Sequence, residues 1–356
     1  MRALTILSVA YPLAPVSPDA VGGAEQVLGH LDRALVEAGH RSIVVAREDS
    51  RVRGRLVPVP AELGPLDDAA HARAQGGTRR AVAAALKRWP EIDLVHLHGI
   101  DFPATMPPAG VPALATLHLP PSWYEASGLR PSRPDTWLHC VSASQHADCP
   151  ASPALLPPIP NGVPIEALGA ARHARRGFAL MLGRVCPEKG VHHALDAARL
   201  ADMPLLIGGE VFGYEAHRRY FEEEVRPRLD ARRRFLGPLS FARKRRLLSA
   251  ARCLLAPSLV PETSSLVAME AAACGTPVVA YPNGALAEIV EPGRTGFLVR
   301  DVAEMARAMR EAGAIDAETC RAAARARFSL GGMVERYLRV YETLSGHRGR
   351  AVLGAA

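Results

Sequence analysis

Short apolar runs alternate with turns and longer amphipathic stretches along most of this chain, and no other feature restricts its fold as much. A run of strand length that is apolar on both faces must be covered on both. That is the situation of a strand in a parallel sheet with crossover helices above and below it. In the first half the runs fall at Leu4–Ala10, Ser42–Ala46, Leu94–Leu97, Pro112–Leu117 and Trp137–Val141. A helix is predicted from about Ala24 to Ala38, with Val27, Leu28, Leu31 and Leu35 at helical spacing and Gly39 as its stop. Residues 48–70 and 119–135 are rich in Pro, Gly and Asp and read as loops over the sheet.

A proline cluster, Pro153–Pro164, forms a stiff connector with no room for a helix. The pattern then restarts with strands at Phe178–Leu182, Leu205–Ile207, Arg234–Leu236, Cys253–Ala256, Pro277–Ala280 and Phe297–Val299. Helices are predicted near 190–201, 240–251 and 265–274, and a last one over Met333–Leu344 carries an apolar face that must dock on something. The sequence from 346 onward has no pattern and reads as a frayed tail. At 356 residues the chain is too long for one α/β core and suits two of about 150–170. The expected fold is therefore α/β, two Rossmann-like domains facing across a cleft, with ligands beyond the carboxyl ends of the strands.

Composition excludes several classes. Only 5% of residues are aromatic, so the cores must be aliphatic. Six scattered cysteines without a CxxC pair read as reduced thiols of a cytoplasmic protein. The N-terminal apolar run is too brief for a signal peptide, and no stretch reaches the ~18 apolar residues of a membrane span. Between Arg218 and Arg246, eleven Arg or Lys stand against four Asp or Glu, which accounts for the whole net charge of +7. Solvated helix faces in an arginine-rich chain are the preferred explanation of that segment; peripheral contact with an anionic membrane is the alternative.

The candidate chemistry lies just after strands. In Gly183-Arg184-Val185-Cys186-Pro187-Glu188-Lys189-Gly190 a guanidinium, an ammonium and a helix start converge where a diphosphate fits. Lys189 is one of only three lysines. In the segment from Pro261 to Pro277, Glu262 lies in a loop and Glu270 inside the following helix, which starts at a serine and ends at Gly275. Glu270 has apolar neighbours, so its carboxylate needs a partner: a ribose diol or a core arginine. Gly22 and Gly23 open the first helix and let an anion approach, although a plain turn explains them equally well. His118 ends a strand on the expected cleft side. His96 and His98 lack the carboxylate or third histidine of a metal site and read as strand and loop residues, so no metal site is expected.

Taken together, these segments resemble the retaining glycosyltransferases of family GT4, which have the GT-B fold. The resemblance runs over most of the chain and includes the GGAE loop, Thr116-Leu117-His118, Pro160-Asn161-Gly162-Val163, the GRxxxEKG turn, the E-x7-E segment with CGTPVV, and Gly293-Arg294-Thr295-Gly296-Phe297. It implies an acceptor-binding domain at 1–164, a nucleotide-sugar domain at 165–328, and a helix at 329–346 crossing back to the first domain. It implies that Arg184 and Lys189 hold the donor diphosphate, Glu270 the ribose, and the Ser264, Ser265 and Leu266 amides the sugar hydroxyls. Glu262 and His118 would flank the reacting sugar, with Gly22 and Gly23 on the diphosphate or acceptor side. The co-substrate would be a nucleoside diphosphate sugar, UDP-sugar foremost. The acceptor would be a small molecule or lipid-linked, and no cofactor, metal or nucleic acid would be involved. Two positions depart from the pattern: Ser265 stands where the family commonly has glycine, and Gly208-Gly209-Glu210-Val211 replaces the usual G-x-G-P. The competing expectations are a catalytically silent GT-B module, a nucleotide-sugar epimerase and a phosphorylase. A dinucleotide oxidoreductase is disfavoured, because neither half carries GxGxxG.

Overall fold

In the computed structural model, residues 2–346 are described. They form two compact units. One takes the chain up to Pro160 and regains it from Met333; the other spans Asn161–Gly332.

The first unit contains strands β1 (Thr5–Val9), β2 (Arg41–Arg47), β3 (Arg55–Val59), β4 (Leu94–Leu97), β5 (Ala113–Leu117) and β6 (Thr136–Cys140). They pair in parallel in the order β3-β2-β1-β4-β5-β6. Helices α1 (Gly23–Glu37), α2 (Asp68–Arg88) and α3 (Ala143–Asp148) complete its first pass. The segment 48–70, expected to be loop, in fact holds β3 and the first turn of α2, and the sequence analysis placed no element over the rest of α2. β3 escaped notice because it lies at the sheet edge, with an exposed Arg55 and a proline at 58, so it lacks a continuous apolar run. α2 buries mainly alanines (Ala70, Ala74, Ala85) with Thr78 and Val82, which gives a faint periodic signal.

The second unit repeats the plan. Helix α4 (Ile165–Gly169) leads to β7 (Ala179–Arg184), α5 (Val191–Leu200), β8 (Leu205–Glu210), α6 (Glu215–Tyr220), β9 (Arg233–Phe235), α7 (Phe241–Ala250), β10 (Cys253–Ala256), α8 (Leu266–Cys274), β11 (Val278–Ala280), α9 (Leu286–Ile289) and β12 (Gly296–Leu298). Helices α10 (Val302–Glu311) and α11 (Ala317–Arg327) follow. The strand order is β12-β11-β10-β7-β8-β9. The chain leaves β7 toward β8 on one side and later returns to β7's other side as β10. That reversal between β7 and β10 is the topological switch point of a doubly wound sheet, where ligands enter. The core around it is aliphatic, with Met181, Val191, Leu195, Ile207, Leu255 and Met305 among its members, as the low aromatic content required.

The final helix, α12 (Leu330–Ser345), buries Met333, Tyr337, Tyr341 and Leu344. Tyr341 bonds to His96 of β4 at 2.7 Å, so the last helix closes the core of the first unit. The tail expected beyond 346 lies outside the described residues.

Candidate functional site

Two loops meet at the second unit's switch point. After β7 the chain turns through Val185 and Cys186 into a short 3-10 turn, Pro187–Lys189, and α5 begins after Gly190. Gly190 has φ +63°, and a Cβ there would lie 2.2 Å from the Pro257 carbonyl, so the close approach of the two loops requires glycine. The amide of Leu259 donates to the Glu188 carbonyl at 2.8 Å across the same junction. With the loops knit in this way, Lys189 Nζ donates to Glu262 Oε1 at 2.5 Å. The Ser258 hydroxyl donates to the same oxygen. A third loop locks Glu262 from behind: Ala285 N donates to the Glu262 carbonyl at 2.8 Å, and Gly284 (φ +60°) passes too close to that backbone to carry a side chain.

An ammonium has three donors, and one goes to Glu262. The Lys189 side chain remains about a quarter exposed, so its other hydrogens are available. Arg184, half-buried at the end of β7, forms no ion pair among the described residues. Burial holds His217 below its ordinary pKa, with the Arg184 charge adding to it, and the same charge is a lesser contributor to the lowered pKa of Glu188. For Glu188, burial is the largest influence and raises the pKa, but the Cys186 thiol donating to its carboxylate heads the effects that outweigh it. One cation and part of another are thus unsatisfied at the position where the sequence placed a diphosphate.

Glu270 is 2% exposed within α8. Its partner within the protein is a lysine rather than the core arginine considered from the sequence. Lys244 Nζ of α7 donates to Oε1 at 2.5 Å, while Oε2 is buried with no partner among the described residues. A carboxylate oxygen left empty at that depth costs about 1–3 kcal/mol unless something donates to it. Lys244 comes from the basic segment, so that segment is partly turned inward; Arg233 is also buried, and Arg226, Arg228 and Arg232 have acidic partners. At the start of α8 the expected cap is absent. Ser265 occupies the N-cap position, but its side chain makes no capping bond. The Ser264 hydroxyl, two residues before Leu266 opens the helix, is buried without a partner among the described residues.

In the first unit, Gly22 caps α1 and Gly23 is its first residue. A Cβ at Gly22 would meet the Glu25 carboxylate, so the chain's own anion folds over this helix start. His118 leaves β5 with Nε2 3.0 Å from His98 Nδ1 and the two rings stacked. Gln145 Nε2 donates to the carbonyls on either side, Leu117 at 2.8 Å and Leu119 at 2.9 Å, and so clamps the His118 turn. Behind His98, His96 bonds Thr116 at 2.6 Å, and Thr116 bonds His139 at 2.7 Å. Burial pushes His118 down to about 3 and His139 to about 4, and holds His96 and His98 well below their ordinary range. His118 therefore works as a neutral imidazole. Its contact with His98, the residue just after β4, was missed in the sequence. The clamp by Gln145 has no sequence signature.

Comparison with known proteins decides the family. Residues 21–154 match the model described as Glycosyltransferase Family 4, and residues 177–313 that of Glycosyl transferases group 1. The phosphatidyl-myo-inositol mannosyltransferase of Mycolicibacterium smegmatis is 30% identical over 93% of both chains. The chain belongs to glycosyltransferase family 4. The glycogen synthase of Mycobacterium tuberculosis is also 30% identical, over 86% of this chain and 85% of its own. Among solved structures, AviGT4, a glycosyltransferase of avilamycin A biosynthesis, superposes with a TM-score of 0.72 at 27% identity, covering 96% of this chain and 98% of its own. Sucrose-phosphate synthase from Thermosynechococcus elongatus reaches 0.76 at 21% identity, covering 96% and 99%. The fold is GT-B, and sugar transfer takes precedence over the epimerase, phosphorylase and silent-module readings.

Proposed function

We propose that this glycosyltransferase moves a hexosyl group from a nucleoside diphosphate sugar, UDP-sugar foremost, to a hydroxyl of a small or lipid-linked acceptor with retention of anomeric configuration. The observation that carries the reading is the switch-point constellation: the Lys189–Glu262 pair, an Arg184 without an acidic partner, and a Glu270 with one empty oxygen. Arg184 and Lys189 neutralise the diphosphate as it leaves, so the reaction needs neither a metal nor a cofactor. Glu270 Oε2 accepts from the ribose hydroxyls, and Ser264, Ser265 and the amide of Leu266 bind the sugar. Glu262 orients Lys189 and contacts the sugar. His118, neutral and clamped, donates a hydrogen bond to the transferred sugar, while Gly22 and Gly23 line the diphosphate or acceptor side.

A lipid-linked acceptor fits the mannosyltransferase relative, which by its name acts on phosphatidyl-myo-inositol. No helix among the described residues is long and apolar enough to cross a membrane. A cytoplasmic enzyme that visits the membrane through exposed arginines of the 218–246 segment (Arg218, Arg219, Arg234, Arg243 and Arg246) fits that acceptor class. The test is a calorimetric screen of UDP, GDP, ADP, dTDP and their common sugars, followed by turnover with and without added Mg2+ or Mn2+. Selective binding of one nucleotide, lost in Lys189→Ala, supports the donor site, and an axial or equatorial anomeric proton in the product reads retention. Absence of binding to all of them overturns the reading. Liposome binding unchanged on reversing the five arginines removes the membrane contact.

A further inference from the structure

Beside the donor turn, but separate from its cations, three potential ligands meet. Cys186 ends the segment after β7, Glu188 lies in the 3-10 turn, and His217 projects from α6, thirty residues downstream in sequence. One donor atom from each lies within 4.8 Å of the other two. Cys186 and His217 are buried and Glu188 is half-buried. The Glu188 Oε2 and His217 Nδ1 atoms are both buried with no hydrogen-bond partner among the described residues. Leaving two polar atoms orphaned in one small cluster is unfavourable, and a single cation would satisfy an acceptor pair of this kind together.

We propose that Cys186, Glu188 and His217 bind one zinc ion, which pins helix α6 to the turn carrying Arg184 and Lys189. The donor set of thiolate, imidazole and carboxylate is the mixture that zinc accepts, and a water completes four-coordination. With Zn–S of about 2.3 Å and Zn–N of about 2.0–2.1 Å, tetrahedral donors stand roughly 3.5 Å apart, so from a separation of up to 4.8 Å the cluster needs to close by at most about 1.3 Å. Charge also balances: the thiolate and carboxylate neutralise the ion and leave the Arg184 guanidinium free for phosphate. Binding releases the Cys186 proton to solvent, and no electron is transferred. The zinc is structural and takes no part in sugar transfer.

The experiment measures zinc in tag-free protein by elemental analysis, then titrates metal-stripped protein with Zn2+ against a chromophoric chelator. The expected content is about one equivalent per chain, with affinity falling more than about 100-fold in both Cys186→Ser and His217→Gln, beyond the usual cost of losing an outer-shell partner. Cys140→Ser/Cys149→Ser, which changes two other thiols, retains the metal. Co2+ in place of zinc gives a near-ultraviolet thiolate-to-cobalt band that Cys186→Ser abolishes. Wild-type protein that takes up no stoichiometric zinc overturns the proposal whatever the variants do. So does equal zinc content in wild type, Cys186→Ser and His217→Gln.

Discussion

Replacing Glu270 separates two duties of one carboxylate. Oε1 holds the Lys244 ammonium, and Oε2 is empty. At 2.5 Å and an effective dielectric of 20, the ion pair is worth about 7 kcal/mol before desolvation is subtracted. The side chains are only 14% and 2% exposed, so desolvation is large and screening small. Breaking such a pair from one side costs about 3–5 kcal/mol, because the remaining charge stays buried alone. Lys244→Met and Glu270→Gln are each expected to lose about that much in urea unfolding, the glutamine at the lower end because its amide oxygen still accepts. The double variant leaves no orphaned charge and returns to within about 1 kcal/mol of wild type. Nucleotide affinity follows a different rule. Hydrogen bonds to a charged acceptor are worth about 1.5–3 kcal/mol, so Glu270→Gln should weaken UDP binding by about 10- to 150-fold. The double variant should recover stability without recovering that affinity. Calorimetric UDP binding by the stable double variant within twofold of wild type would refute the assignment of Glu270 to the ribose. Unchanged stability in Lys244→Met would refute the energetics of the pair.

Three further outcomes are expected. Lys189→Ala should weaken UDP-sugar binding by about 10-fold or more in calorimetry, by loss of a charge-assisted contact, while circular dichroism stays that of wild type. Gly190→Ala places a Cβ against the Pro257 carbonyl at positive φ; a loss of about 2 kcal/mol or more in urea unfolding is expected, and wild-type stability would show that the loops do not need their close approach. The histidine cluster makes stability pH-dependent. His96, His98, His118 and His139 have folded-state pKa values below the unfolded 6.5, so the unfolded chain binds more protons once the pH falls below that value. Stability is full above about pH 6.5 and declines as the pH drops toward 4, by at most about 5 kcal/mol per pH unit if all four titrate together. Unfolding midpoints that stay level between pH 7 and 5 would contradict the buried, neutral cluster.

Where the sequence was legible, the reason was burial. A strand covered on both faces has to be apolar throughout, so β1, β2, β4, β5, β7 and β10 stood out, as did α1 and α12 through their apolar stripes. β3 and α2 were among the elements not placed: an edge strand tolerates arginine and proline, and a helix packed mainly through alanine shows little contrast between its faces. The candidate residues were legible because a charge set in an apolar or glycine-bounded context demands an explanation, as Glu270 and Lys189 did.

Partners were a different matter. The sequence by itself determined two parallel-sheet units, the connector between them and the residue types at the strand ends, since these follow from local periodicity and turn chemistry. It left undetermined that Glu270 faces Lys244, that Lys189 faces Glu262, that His98 stacks on His118 under the Gln145 clamp, and that Cys186, Glu188 and His217 converge. Each of these contacts joins distant parts of the chain, from 20 to 73 positions apart for the hydrogen-bonded pairs. A side chain's sequence neighbours carry no information about which distant loop the sheet order brings to it. Only the strand order of each sheet decides that.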